Sequence, residues 1–339
     1  MSSEPLEKAR AEKILERARD LTVVVTGDVC LDAYWSVDMR LSELSRETPH
    51  YSQPVVDERY SPGGGGNVAV SLKTLGTGNV RVATVFGDDW RGRLLIDILG
   101  KMGIDCSKTF LSPAWTTTAF IKPMLRGFEE QTMQEAARFD FVNEADSNEA
   151  LLNEWLPQLD EAAKGAGAVI VMDQVAPNLV TKSAAQRIVE LSRDHKETTF
   201  LVDSRYKTEA FAGLWLKGND REVSNAAKAL GAESKDPLTA ASALARAAKS
   251  PVTMTAGEAG AVVVAGPDAK PVRVPTKPVT GPMDICGAGD AFTAAFILGI
   301  AAGATPEEAA GLGNASARYS VQQIGRTGNP KPEDLLSQL

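Results

Sequence analysis

The sequence has few residues of the kinds that build metal centres and disulfide frameworks. Its 339 residues include three cysteines, which are far apart and form no C-x-x-C pair, and only two histidines. We therefore expect neither a zinc site nor a disulfide framework. No apolar run reaches the ~20 residues that cross a bilayer. The charged N-terminal segment does not have the pattern of a signal peptide, so we expect a cytoplasmic protein without membrane contact.

The net charge is −8 and no long lysine and arginine cluster occurs, which argues against a nucleic-acid surface. Several common catalytic motifs are also missing. There is no Walker A pattern, no protein-kinase H-R-D or D-F-G set and no G-x-S-x-G elbow. Any phosphoryl transfer must therefore use a different arrangement, and we expect a small molecule as the partner.

What the sequence does contain is an alternation of short apolar runs and longer helical stretches. Buried strands that alternate with helices indicate an α/β fold, with a mostly parallel sheet covered on each side. Functional sites in such sheets form at the carboxyl ends of the strands. The predicted strands cover 21–26, 80–86, 168–172, 199–202, 252–255 and 260–264, and the predicted helices cover 67–75, 91–102, 149–164, 181–194, 220–230 and 238–249.

Two segments, 35–60 and 116–141, break this alternation. Both have the alternating pattern of antiparallel strands, and together they predict a small lid over the site. The exposed edges of such a lid are often paired with a second subunit, so we expect a homodimer through the lid. The rest of the chain divides into an N-terminal helical extension, 1–20, and one domain, 21–339.

The most informative motif lies late in the chain, where Gly287, Ala288, Gly289 and Asp290 precede an apolar run at 291–300. That run predicts a buried helix, and free N–H groups at a helix N-terminus attract anions. Small residues let a phosphate approach those amides. Asp290 would then accept the proton of an attacking hydroxyl. The alternative is an ordinary turn in which Asp290 caps the helix.

A second glycine-rich stretch runs from Gly63 to Gly66 and is followed by Asn67. Four successive glycines indicate unusual backbone angles or close approach of a ligand, and Asn67 suits a sugar hydroxyl. Gly64, Gly66 and Ala69 also fit a dinucleotide-binding pattern. That reading lacks the preceding core strand that the pattern requires.

Three further sites have a functional and a structural interpretation. Asp32, after the first strand, either binds a polyol or caps a loop. Asn219 and Glu222 either form a capping box or lie near magnesium-bound water and phosphate oxygens. The segment 255–260 reads as a hairpin-like turn whose backbone could line a nucleotide.

The ordered set of these motifs resembles the ribokinase-like, or PfkB, family of carbohydrate kinases. The resemblance covers 22–327, and its most specific part is the stretch that ends at Asp290. Within the family the opening is similar to the heptose-7-phosphate kinases. The stretches that carry this similarity are 27–35, 47–49, 62–69 and 138–140. Bifunctional members carry a nucleotidyltransferase domain after the kinase, and we expect similarity to the stand-alone kinase.

The resemblance implies a three-layer α/β/α sandwich with a β-sheet lid and ATP-dependent, Mg²⁺-assisted phosphorylation of a sugar hydroxyl. Some relatives also use a monovalent cation such as K⁺. It implies Asp290 as catalytic base, with Gly287, Ala288 and Gly289 as the anion hole. The other implied roles are sugar binding by Asp32, Gly64, Gly65, Asn67 and Arg138, nucleotide and Mg²⁺ binding by Asn219, Glu222 (through water), Thr255, Gly257 and Asn314, and a monovalent cation at Asp284.

The sequence departs from the family pattern at two places. Cys286 and Ala291 stand where threonines are usual, which leaves the base and glycines in place. Glu43 lies in the lid segment where heptose-phosphate kinases often carry an arginine, and it would repel a substrate phosphate unless Arg40, Arg46 or Lys122 compensates. The open alternatives are another sugar, a nucleoside substrate, a catalytically idle sugar- or nucleotide-binding homologue, and a dinucleotide oxidoreductase.

Overall fold

Short valine-rich segments form the strands of the central sheet, and amphipathic stretches form its helices. The computed structural model describes residues 2–127, 133–232, 234, 236–325 and 327–339. The strands are β1 (Thr22–Gly27), β2 (Val29–Asp38), β3 (Val55–Gly64), β4 (Asn79–Ala83), β5 (Val85–Gly87), β6 (Phe110–Ser112), β7 (Ala119–Arg126), β8 (Met133–Glu135), β9 (Phe139–Phe141), β10 (Ala168–Asp173), β11 (Thr199–Ser204), β12 (Trp215–Asn219), β13 (Val252–Thr255), β14 (Ala261–Val264) and β15 (Val272–Val274). The helices are α1 (Lys8–Ala18), α2 (Gly65–Thr74), α3 (Trp90–Lys101), α4 (Glu149–Ala163), α5 (Lys182–Ser192), α6 (Asp220–Ala229), α7 (Pro237–Ala248), α8 (Ala288–Ala301), α9 (Pro306–Ser320) and α10 (Pro332–Gln338).

The central sheet has eight strands in the order β15-β14-β13-β12-β11-β10-β1-β4. The run from β4 to β13 is parallel, and β14 and β15 are antiparallel additions. Two hydrophobic clusters cover its faces, one built on α1, α2, α3, α8 and α9 and the other on α4 to α7. This confirms the predicted sandwich, and it brings the carboxyl ends of β1 and β10 to β13 to one edge.

A second sheet, which we call the lid, has the order β3-β2-β7-β8, with β9 also paired to β7. The predicted lid segment 35–60 was wrong at its boundaries, because β2 begins at Val29 and β3 continues to Gly64. The apolar stretch after Gly27 pairs with β3 as a strand instead of forming a loop. In the second lid segment, 116–141, residues 128–132 lie outside the described residues.

The first helix, α1, packs against the main core. Its buried residues are Ala11, Ile14, Leu15 and Ala18, and Arg10 forms an ion pair with Glu308 at the start of α9. The predicted helical extension, 1–20, thus contains a helix whose apolar face is part of the main core. Among the residues that the structure describes, no helix is both long and apolar enough to cross a membrane.

Candidate active site

A tight turn at Gly287 opens α8, a helix with a largely buried middle. Gly287 has a φ of +78°, a region that favours glycine. A Cβ there would also lie 2.7 Å from Thr327 Cγ2. Asp284 holds the approach to this turn, because its Oδ1 accepts the Cys286 N–H at 3.0 Å and its Oδ2 accepts the Gly325 N–H at 3.0 Å. These two bonds lower the pKa of Asp284.

The sequence predicts the amides of Gly287, Ala288 and Gly289 as the anion hole, and in the structure the amide of Ala288 is partly occupied. The Ala288 N–H reaches the Ile285 carbonyl at 3.3 Å, a long bond that takes that amide partly out of use. Among the described residues, the N–H groups of Gly289 and Asp290 have no hydrogen-bond acceptor. Two donors at the N-terminus of a 14-residue helix therefore remain for an anion.

Asp290 is half-buried at the base of a cavity of about 780 Å³. Its Oδ2 accepts a hydrogen bond from Asn67 Nδ2 at 3.1 Å, and within the described part of the chain its carboxylate makes no helix-capping bond. Burial and the negative charge of Asp203 raise the pKa of Asp290 to about 7, although Asn67 and Lys217 oppose the shift. A carboxyl group with a pKa near neutrality suits proton acceptance at physiological pH.

The cavity brings together most of the residues that the sequence singles out. Asn219 and Glu222 form the predicted capping box of α6: the Asn219 N–H donates to Glu222 Oε2 at 2.8 Å, and Asn219 Oδ1 accepts the Glu222 N–H at 2.9 Å. Both nevertheless line the cavity, so the structural interpretation does not displace the functional one. Its lining includes Asn219, Glu222, Thr255, Gly257, Gly287, Ala288, Gly289, Asp290 and Asn314.

Three of these residues, Thr255, Gly257 and Asn314, come from β13, the turn that follows it and α9. Gly257 follows Thr255 at the turn into β14, which is antiparallel to β13, as the predicted hairpin requires. The Asn314 amide donates to the carbonyls of Val274 and Pro275, at 2.9 and 3.4 Å. Asn314 therefore anchors β15 to α9 as well as lining the cavity.

The predicted sugar-binding residues are not among those that line the cavity, and they lie on or beside the lid strands and at the start of α2. Asp32 lies within β2, not in a loop after the first strand, and its Oδ1 accepts a hydrogen bond from Lys122 Nζ at 3.2 Å. The charge of Asp32 contributes to the raised pKa of Asp290. Arg138 packs over the Phe120 ring and pairs with Asp140, so this guanidinium already has a carboxylate partner.

Of the two glycines predicted to hold the sugar, Gly65 is engaged by the protein. Its N–H donates to the Asp28 carbonyl at 2.8 Å, and a Cβ there would lie 2.8 Å from that same oxygen. Gly64 has a φ of +55° and ends β3. Close packing against the Asp28 backbone therefore accounts for Gly65, while Gly64 is half-buried at the start of α2.

Sequence reasoning missed a buried polar network beneath the anion-binding turn. Asp203, at the end of β11, accepts hydrogen bonds from Lys217 Nζ at 2.6 Å, Thr293 Oγ1 at 3.0 Å and Gln174 Nε2 at 2.8 Å. Burial lowers the pKa of Lys217, but Asp203 outweighs burial and the pKa is raised. The sequence feature that could have indicated this network is a charged residue near the carboxyl end of each of two apolar strands, Asp203 on β11 and Lys217 on β12.

Asp284 and Glu222 are the residues predicted to act near metal ions. Each oxygen of Asp284 already accepts a backbone N–H, and Glu222 Oε2 accepts the Asn219 N–H. Among the described residues, no group of three or more histidine, cysteine or acidic residues has the arrangement of a metal site. The monovalent cation at Asp284 stays a prediction.

Comparisons with known proteins give a family match over nearly the whole chain. A family profile described as "pfkB family carbohydrate kinase" matches residues 23–333. The bifunctional protein HldE of Vibrio vulnificus strain CMCP6 is 29% identical over 92% of this chain and 62% of its own length. HldE of Geobacter metallireducens is 26% identical over 98% of this chain and 66% of its own. The chain thus spans about two thirds of these relatives.

Solved structures share the fold at low sequence identity. Phosphofructokinase-2 from Escherichia coli in complex with potassium has a TM-score of 0.73 at 20% identity, covering 94% of this chain and 98% of its own. Arabidopsis thaliana ribokinase complexed with ribose and ATP has a TM-score of 0.67 at 19% identity, with the same coverage. These similarities support the fold assignment independently of the motifs.

Proposed function

We propose, from the premise that the chain belongs to the pfkB family of carbohydrate kinases, that it transfers the γ-phosphoryl group of ATP to a hydroxyl of a sugar or sugar phosphate. Membership makes it a sugar kinase. The observation that carries the specific proposal is the position of Asp290, bonded to Asn67 and beside two N–H donors without protein acceptors. A base and an anion-binding turn are thus side by side, as phosphoryl transfer to an alcohol requires.

In the proposed step, the sugar hydroxyl gives its proton to Asp290 while its oxygen bonds to the γ-phosphorus. The bond between that phosphorus and the bridging oxygen breaks, and ADP leaves with the electron pair. The N–H groups of Gly289 and Asp290 would stabilise the charge on the equatorial oxygens. Asn67 would hold the carboxylate in place through its 3.1 Å hydrogen bond.

The cavity has the size and chemistry for the nucleotide. Its volume of about 780 Å³ is within the range of small-molecule sites, and it extends from Asp290 to Asn314. Thr255 and Gly257 would approach the ribose and phosphates. Mg²⁺ usually keeps several waters and touches few protein groups, which fits a single accessible Glu222 oxygen reached through water. The ion would neutralise phosphate charge.

The leading candidate acceptor is D-glycero-D-manno-heptose 7-phosphate. Its support is the similarity of the lid and glycine-rich motifs to heptose-7-phosphate kinases, together with Lys122 beside Asp32 on the lid. Glu43 is exposed on the lid and works against a phosphorylated acceptor. Ribose, fructose, ketodeoxygluconate and nucleosides are the other acceptors to compare.

The lid also supports the proposed homodimer. It exposes apolar side chains from β3 and from the segment before it, and β3 is an edge strand of the lid sheet. Pairing two lids would cover both the edge and these side chains. The exposed apolar residues are Leu41, Leu44, Tyr51, Val55 and Val56. Light scattering should give the mass of two chains, and a monomer would contradict the dimer alone.

A coupled ADP-release assay across free sugars, sugar phosphates and nucleosides tests the proposed function. We expect ADP formation that depends on one class of sugar acceptor and on Mg²⁺, with stoichiometric phosphorylated product. Binding of sugar and ATP without ADP release would instead indicate the catalytically idle homologue. Release with a purine nucleoside as the best acceptor would move the assignment to nucleosides.

A further inference from the structure

Lys217 is a buried lysine whose hydrogen-bonding capacity is mostly unused by the protein. It lies near the carboxyl end of β12, with its side chain 6% exposed, and donates to Asp203 Oδ2 at 2.6 Å. An ammonium has three N–H donors. Among the described residues, Asp203 is the one acceptor of Lys217 Nζ. Two N–H groups of a buried cation thus remain for another partner.

The position of Lys217 indicates what that partner is. Its Nζ lies 3.7 Å from the point that a Cβ on Gly289 would occupy, and Lys217 lines the same cavity as Asp290. The ammonium is therefore beside the amides that would receive the migrating phosphoryl group. The helix N-terminus is also electropositive, so the turn and the lysine would attract the same anion.

Asp203 fixes the position of the Lys217 ammonium through their ion pair. Thr293 Oγ1 and Gln174 Nε2 occupy further positions on the Asp203 carboxylate, at 3.0 and 2.8 Å. The single hydroxyl proton of Thr293 is shared between Asp203 and the Gly289 carbonyl, which lies 2.8 Å from Thr293 Oγ1 and connects the network to the first turn of α8. The network therefore holds the cation in register with the anion-binding turn, without reorganisation during the reaction.

We propose that Lys217 is a further catalytic residue, which donates hydrogen bonds to the transferring phosphoryl group, and that Asp203 is its positioning residue. The inference rests on the proposed phosphoryl transfer. Burial of an ion pair is weak evidence for stability, because apolar replacements of such pairs are often neutral or better. A charge placed where negative charge accumulates in the transition state gives a catalytic reason for keeping it.

The chain offers a matched control in Lys207. It is also buried and also 2.6 Å from a carboxylate, that of Asp173, with side-chain exposures of 8% and 0% for the pair. Lys207 Nζ has a second acceptor, Asn178 Oδ1, at 3.0 Å, and Lys207 does not line the cavity of Asp290. Removing the charge of Lys207 therefore shows how the loss of a buried ion pair affects stability and activity when the pair is not at the anion-binding turn.

The experiment compares Lys217→Met, Lys217→Gln and Lys217→Arg with Lys207→Met, using the acceptor that gives ADP release with wild type. We expect kcat to fall by about 10² to 10³ in Lys217→Met and Lys217→Gln. KM for the sugar should change little, and Lys217→Arg should recover part of kcat because the charge is kept. Lys207→Met should lower the melting temperature but keep kcat near wild type.

Two results would overturn the inference: a near-wild-type kcat in folded Lys217→Gln, or an equal kcat loss in Lys207→Met. Lys217→Gln keeps a donor for Asp203, so it remains informative if Lys217→Met does not fold. A wild-type protein that phosphorylates no acceptor would contradict the proposed function itself. An active wild type with indifferent Lys217 variants would contradict only this inference.

Discussion

At the residue scale, the Asp290 carboxyl group is partly buried, and nearby charges and a hydrogen bond act on its pKa. Burial and the nearby Asp203 and Asp32 charges favour its protonated form, while Asn67 and Lys217 favour the carboxylate. The balance gives a pKa of about 7 instead of the usual value near 4. The site therefore holds a carboxyl group that can take up a proton at neutral pH and release it again.

This balance predicts the pH dependence of turnover. The base must be ionised, so kcat/KM for the sugar should rise with pH and level off above about 7. Asn67→Ala removes a hydrogen bond to the carboxylate and should move the midpoint to higher pH, whatever it does to sugar binding. Steady-state rates from about pH 5 to about pH 9 measure both midpoints. A flat profile, or an unmoved midpoint in the variant, would count against Asp290 as the base.

Asp28 is another carboxyl group with a raised pKa, and it has no role in the proposed phosphoryl transfer. Burial raises it to about 7, although its Oδ2 accepts the Gln174 and Val175 N–H groups. Between about pH 4 and about pH 7 the folded chain therefore holds a proton at Asp28 that the unfolded chain has released. By that linkage, the contribution of this group to stability falls as pH rises through the window.

Asp28→Asn should therefore become more stable relative to wild type as pH rises. Urea unfolding of both proteins at about pH 5 and about pH 8 gives the comparison. The difference in unfolding free energy should move in favour of the variant at the higher pH, because the asparagine does not ionise. A difference that does not change with pH would mean that Asp28 titrates in its ordinary range.

At the element scale, one turn connects the lid to α8. Arg59 on β3 donates to the Gly325 carbonyl at 3.0 Å, and the Gly325 N–H donates to Asp284, which also accepts the Cys286 N–H. Asp284 thus connects the backbone at Gly325 to the turn at Gly287 through these two hydrogen bonds. This structural role does not depend on the monovalent cation that is predicted there.

The shape of that turn is testable at Gly287. Gly287→Ala places a Cβ at positive φ and 2.7 Å from Thr327 Cγ2, so the turn or the Thr327 side chain must shift. We expect kcat to fall steeply and the melting temperature to fall as well. Gly213→Ala is the control, because Gly213 has a φ of +97° with nothing within 4 Å of the added Cβ. It should lose about 1–2 kcal/mol of stability and retain activity; equal kcat losses would remove the case for turn geometry.

The elements themselves were largely predictable, and their exceptions have physical reasons. Periodicity located α3, α4, α6 and α7 to within a few residues, because each has one apolar face and a distinct N-cap. The lid strand β2 was misplaced because nothing in 29–34 distinguishes a strand that leaves the main sheet from a loop. Its pairing with β3 and β7 is long-range.

At the scale of the whole molecule, the fold and the catalytic turn were accessible from the sequence, but the Asp203 network was not. Asp203 and Thr293 are 90 positions apart, and Asn67 and Asp290 are 223 apart. Only the assembled sandwich brings β11, β12, α2 and α8 to one edge. A sequence pattern can identify a glycine-rich turn, whereas partners on separate elements depend on strand order and crossing helices.

The central claim is that Asp290 accepts the acceptor's proton beside the anion-binding turn. The most direct measurement is sugar-dependent ADP formation by wild type and Asp290→Asn, with sugar binding measured on the same samples by calorimetry. We predict that Asp290→Asn binds the sugar with similar affinity but turns over about 10² to 10⁴ times more slowly. Phosphorylation by Asp290→Asn at close to the wild-type rate would contradict the claim.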